Sequence, residues 1–158
     1  MSKICNVNFK HVSISATQDL VSLKPASNKP IRILRYWLMC DEPTLPSPIL
    51  LQLNAKITTG TFTAGSGGSA PTPTCLDPTN TTTISATARA NDTTPGTTST
   101  SFVNIDPSGT HIYNRFDSAQ QGRAPIDIPV AGGFVFELLN ATITAAHFSG
   151  GVDFEEIG

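Results

Sequence analysis

The sequence predicts an all-β chain, a jelly-roll-like antiparallel β-sandwich of roughly eight to ten strands, and three observations predict it. Thr and Ser account for 35 of 158 residues against 5 Lys and 4 Glu, so strand- and turn-forming residues outnumber the charged helix formers. Twelve Gly and twelve Pro supply the punctuation for many turns. Apolar residues recur with a period of two over short stretches, and no helical period of useful length occurs. Long, uneven connections favour a jelly roll over an up-and-down barrel. The length fits a single domain, 1–158, with enough chain to bury a core.

The elements follow in order. Cys5, Val7 and Phe9, then Val12 and Ile14, alternate except for one slip, and a bulge near Lys10-His11 restores both halves to one face. Leu20–Leu23 is a second short strand. Ile31–Cys40 is apolar on both faces, with Ile31, Ile33, Arg35 and Trp37 on one and Leu34, Tyr36 and Leu38 on the other, which suits a central strand or one that meets a partner. Pro43, Pro46 and Pro48 dictate an extended loop. Ile49, Leu51, Leu53, Ala55 and Ile57 alternate strictly. Ile84–Ala90, Ser101–Ile105 and His111–Phe116 are shorter candidates divided by Gly, Pro, Asn and Asp, with a turn at Asp106-Pro107-Ser108-Gly109. Pro125 and Pro129 mark Ala124–Val130 as an edge strand or a crossing segment. Gly132-Gly133 turns the chain into the strands Phe134–Ala145 and Gly151–Ile157.

Between these lies a long Thr/Gly/Ser/Pro-rich insertion at 59–83, with Phe62 and Leu76 its only large apolar residues. Fixing a backbone costs about 1–2 kcal/mol per residue. Two buried side chains return only about 1.5–3 kcal/mol each. The segment therefore needs ladder hydrogen bonds, a neighbouring subunit, or freedom to move, and Gly65–Ser69 reads as a flexible tip.

Charge and motif content exclude several functions. Charged residues are 14% of the chain and the net charge is −2, so no basic footprint for nucleic acid exists. No apolar run spans a membrane, and the N-terminus lacks the apolar stretch of a signal peptide. Cys5, Cys40 and Cys75 are an odd, scattered set, expected as buried thiols in a reducing cytoplasm. The sequons at Asn80, Asn91 and Asn140 read as accidents of a Thr-rich chain. His11, His111 and His147 have no ligand spacing, Gly65–Gly68 lacks what a phosphate loop needs, and the turn at 104–109 lacks a full calcium-loop pattern. No metal, cofactor or catalytic residue is expected. Glu155 and Glu156 fall on opposite faces of a strand, one toward water and one toward a subunit or a buried base. The Tyr36-Trp37 pair suggests a sugar platform as an alternative. A cupin-like enzyme would need two histidines and a carboxylate converging inside the barrel.

Leu76-Asp77-Pro78, Ala86–Thr94 (ATARANDTT), Arg123-Ala124-Pro125-Ile126 and the ending Val152–Gly158 (VDFEEIG) resemble a group of small tailed-bacteriophage virion proteins of the head decoration, or cement, type. The likeness covers the second half in patches and the first half only in general pattern. It implies a non-enzymatic virion component made in a host cytoplasm. Such a component would form a homotrimer on the capsid exterior and bind between major capsid subunits, touching neither nucleic acid nor membrane. The residues expected at such an interface are Tyr36, Trp37, Leu38, Phe62, Leu76, Arg89, Glu155 and Glu156. The rival reading is a receptor- or glycan-binding module of a fibre or spike.

Overall fold

The computed structural model describes residues 3–44, 47–77, 79, 83–140 and 145–158. The expectations for Pro46, Pro78, Asn80 and the stretch 141–144 fall outside these residues. The described residues form thirteen strands and no helix. They are β1 (Lys3–Ile14), β2 (Gln18–Lys24), β3 (Ile31–Cys40), β4 (Leu50–Thr58), β5 (Phe62–Thr63), β6 (Thr74–Cys75) and β7 (Thr87–Asp92). The rest are β8 (Thr97–Thr98), β9 (Val103–His111), β10 (Phe116–Asp117), β11 (Ile126–Ile128), β12 (Gly133–Leu138) and β13 (Ala146–Glu156).

The pairing is nested. β1 pairs with β13, β2 with β12, β3 with β10 and β11, and β4 with β9, all antiparallel. A long hairpin rolled up on itself gives this pattern, which is the jelly roll. The first sheet runs β10–β3–β13–β1–β6, with β11 sharing the β10 edge, and the second runs β7–β2–β12–β4–β9. Phe148, Val152 and Phe154 of β13 and Leu23, Leu53, Phe134 and Phe136 of the second sheet bury their side chains between the layers. Tyr36 lies at the centre, its ring 5.1–5.9 Å from those of Phe116, Phe134 and Phe136. Its hydroxyl donates to Asp106 at 2.5 Å, which satisfies the polar end of a ring buried in that core.

Bulges decide which side chains face inward. The slip between Phe9 and Val12 is a bulge as expected, with His11 at φ 53°. A second irregularity, opposite Asp153 and Phe154, moves the phase of β3 at Leu34. It turns Tyr36 and Leu38 inward beside Ile31 and Ile33, and leaves Arg35, Trp37 and Met39 on the outer face. The expected grouping of Trp37 with Ile31 and Ile33 is thereby corrected. So is the placing of Tyr36 and Leu38 at an interface, since both are buried in the core. The expected turn at Asp106–Gly109 is also corrected, since β9 continues through it with Pro107 opposite Asn54. β9 is an outer strand, where proline's missing N–H costs no ladder bond. β12 ends at Leu138, short of the expected strand, and β13 begins earlier, at Ala146.

The described residues of the insertion are held by this chain itself. Ser66 and Thr94 exchange backbone hydrogen bonds of 3.0 Å, Ser69 and Ala90 exchange bonds of 2.9 Å, and the Gly68 N–H donates to Asp92. Gly65–Ser69 is thus laid along β7 and is not a free tip. A Cβ at Gly68 would stand 2.1 Å from the Ala90 carbonyl oxygen, so only glycine permits this approach. β5 and β8 pair over the outer face of the second sheet. Phe62 packs its ring where a Cβ of Gly133 would be, and Val135, on the same outer face, is fully buried outside the main core. β6 then joins the edge of β1. Ladder bonds plus one anchoring phenylalanine therefore order a segment that side-chain burial alone could not.

Candidate interaction face

The two outer faces differ. On the second sheet Asp19, Ser22, Asn54, Val135 and Glu137 face outward along their strands yet are buried, under a cover that β5 of the insertion makes with β8 and the residues flanking it. Gly96 of the covering segment donates its N–H to Asp19 at 2.7 Å, and Lys56 donates to Glu137. Burial raises the Asp19 carboxyl to about 6, helped by Glu137 and Asp92 and opposed by the Gly96 N–H and Lys56.

Among the described residues the first sheet is left open. Its outward residues stack in rows across the strands. Glu155, Arg32 and Asp127 form one row, with Arg32 paired to Asp127 at 2.6 Å and to Glu155 at 3.9 Å. In the next, Arg35 bridges Asp153 at 3.4 Å and Asp117 at 2.7 Å. Burial pushes the Asp117 carboxyl up, but Arg35 outweighs it and holds the group below the usual range. Asp153 is shifted upward, its burial only partly offset by Arg35. Trp37 follows, the guanidinium of Arg115 lying 4.8 Å from its ring centroid. Beside it a groove of about 430 Å³ runs between Trp37, Met39, Asn8, Lys10, Asp41 and Ser149. Gly151 sits opposite both Asn8 and Trp37 and contributes no side chain to that row.

At the end of this face the structure assembles a group that spacing gave no hint of. The imidazoles of His11 and His147 stack with centroids 4.1 Å apart. Nδ1 of His11 lies 3.3 Å from Asp41, and Nδ1 of His147 lies 2.6 Å from Glu42. The Ser149 hydroxyl donates to Asp41 at 2.5 Å and accepts the His11 backbone N–H. Ser149 does not donate to an imidazole, so it is not arranged as an activated nucleophile. Both histidines stand on the outside of the sandwich, unlike a cupin-type interior site. Among the described residues no group of three or more His, Cys, Asp or Glu is arranged to hold a metal.

The residues expected at an interface divide accordingly. Trp37 and Glu155 lie on the open face. Leu76, 53% exposed, sits at its β6 edge beside Ile4, 49% exposed, whose carbonyl accepts the Leu76 N–H. Tyr36, Leu38 and Phe62 are spent on the chain's own interior. Glu156 is buried as well, accepting the N–H groups of Ser85 and Ala86 and pairing with Lys29 at 3.2 Å. Arg89 engages Asp92 at 2.6 Å, the same carboxylate that holds Gly68, so it braces the insertion. Adjacent residues on a strand face opposite ways, so Tyr36 and Trp37 cannot make one sugar platform. A second exposed apolar group, Leu50, Tyr113 and Leu139, gathers near the start of β4.

Compared with protein-family models, curated proteins and solved structures, the chain matches none.

Proposed function

We propose that the chain is a virion structural protein, a head decoration protein that stabilises a capsid by binding between major capsid subunits. The observation that carries this reading is the asymmetry of the two outer faces. β5 of the insertion, together with β8 and its flanks, covers the second sheet, while the first keeps Trp37, Met39 and the Ile4–Leu76 edge at its surface among paired charges. A rigid β body with one broad amphipathic face suits docking onto another protein. The resemblance of the ATARANDTT and VDFEEIG stretches to phage decoration proteins supports a capsid as that partner. The fold alone would not, because a jelly roll hosts many functions. Self-association as a homotrimer belongs to the same reading, with Leu50, Tyr113 and Leu139 as the exposed apolar group available for it. Threefold repetition would multiply weak capsid contacts.

Cosedimentation with capsids lacking the protein, together with light scattering of the free chain, tests this. The expected result is a trimer that binds heads and loses binding in Trp37→Ala and Leu76→Asp. A strict monomer with no affinity for heads removes the proposal. The groove beside Trp37, with Asn8, Lys10, Asp41 and Ser149 around it, favours one second reading, glycan binding. Glycan-array binding that vanishes in Trp37→Ala, without capsid binding, would replace the first reading by the second.

A further inference from the structure

The insertion meets the body of the protein through two thiols. Cys5 on β1 and Cys75 on β6 stand directly opposite each other, 70 positions apart in sequence. Leu76 donates its N–H to the Ile4 carbonyl at 2.9 Å, which makes Ile4 and Leu76 a hydrogen-bonded pair. Their neighbours Cys5 and Cys75 therefore occupy the close, non-hydrogen-bonded position, where Cα atoms of opposite residues lie about 4.5 Å apart. That separation falls within the range a disulfide spans, roughly 4.4–6.8 Å. The Sγ atoms are 3.7 Å apart and both cysteines are free. Cys5 is fully buried and Cys75 half-buried, so a reagent reaches Cys75 first. Cys40 lies at the far end of β3, opposite Phe148, and has no such partner among the described residues.

We propose that Cys5 and Cys75 are a redox modification site, a dithiol that closes to a disulfide and locks the insertion onto the edge of β1. The oxidant is a low-molecular-weight disulfide such as oxidised glutathione. Cys75 attacks one glutathione sulfur, forming a mixed disulfide and releasing the first glutathione thiol. Cys5 then attacks the Cys75 sulfur, the second glutathione leaves, and the Cys5 proton ends on it. Two protein thiols and one oxidised glutathione thus become one protein disulfide and two reduced glutathiones. Burial, and then its hydrogen bond with Cys75, push the Cys5 thiol up to about 12. Forming the mixed disulfide at Cys75 removes the second of these influences, so Cys5 becomes a better nucleophile only after the first step. The inference rests on strand register and does not depend on the virion reading.

The test is equilibration of the folded full chain in glutathione buffers of increasing oxidised fraction, quenched by iodoacetamide and read by intact mass and peptide mapping. The expected product carries one alkylated cysteine, Cys40, and a Cys5–Cys75 linked peptide pair. It melts several degrees higher than the reduced chain and resists proteolysis within 59–83. Cys40→Ser should leave this chemistry unchanged, whereas Cys75→Ser should keep Cys5 unmodified. Three alkylated thiols at every ratio, a persistent glutathione adduct on Cys75, or a bond involving Cys40 would each overturn the proposal. The wild-type mass readout decides the matter even if a variant fails to fold.

Discussion

Two buried carboxylates respond to pH in opposite senses. Asp19 resists ionisation until about pH 6 in the folded chain, whereas in an unfolded chain it ionises near 3.8. Its strain is absent below the lower value, grows as pH rises, and is complete above the higher one, reaching about 2–3 kcal/mol. Asp19→Asn should therefore be more stable than the parent by roughly that amount at pH 7.5 and equal to it at pH 3.5, measured by urea unfolding. Glu156 behaves oppositely. Burial raises its carboxyl, but the Ala86 and Ser85 N–H groups and Lys29 pull it below the usual 4.5. Its stabilisation is present above that value and is lost as pH falls through the depressed one. Glu156→Gln should cost about 1–3 kcal/mol at neutral pH, and the deficit should shrink in acid. The opposite facing of Glu155 and Glu156 was legible in the sequence, because a strand alternates. The His11–His147 stack was not, because it depends on β1 and β13 pairing across nearly the whole chain.

At the scale of the element, legibility followed the phase of the pattern. The β1 bulge showed as a missed beat between Phe9 and Val12. The irregularity in β3 was hidden, because Leu34 and its neighbours are apolar on both sides of the slip. Pro107-Ser108-Gly109 looks like a turn locally, and only its position on an outer strand explains why it is extended. The insertion was legible as a segment that cannot fold by burial alone, and ladder bonds were one of three ways left open to order it. Which of the three holds was not legible, because its partners in β1 and β7 are distant in sequence. Its attachment can be tested in two places. Phe62→Ala removes the ring that packs against Gly133 and should cost about 3–5 kcal/mol if the insertion stays docked. A smaller loss, with new protease cleavage between 59 and 83, shows the insertion lifting from an intact sandwich. Gly68→Ala places a methyl against the Ala90 carbonyl and should abolish hydrogen-exchange protection at Ser69 while leaving that of β13 intact.

The whole molecule is organised by pairing between distant positions, with Lys3 opposite Glu156 and Gln18 opposite Leu138. The sandwich class was readable from short strands and their spacing, and uneven connections favoured the jelly roll. Thirteen strands replace the eight to ten expected, the surplus being two-residue pieces such as β5, β6 and β8. The nesting itself was not readable, since any of several strand orders shares that periodicity. Nested pairing closes its loops before contacts repay them, so refolding should be slow, on the millisecond-to-second scale. Stopped-flow tryptophan fluorescence of Trp37 measures this, and microsecond refolding would contradict it. The seam between β7 and the Ser66–Ser69 run has a further consequence. β7 ends its sheet, and without that run the N–H and C=O groups at Ala90 and Thr94 would stand unpaired. An unpaired strand margin recruits whatever strand it meets. Excising 59–83 should then leave a protein that still folds but precipitates or forms fibrils with concentration, so the low-complexity stretch acts as a guard of solubility.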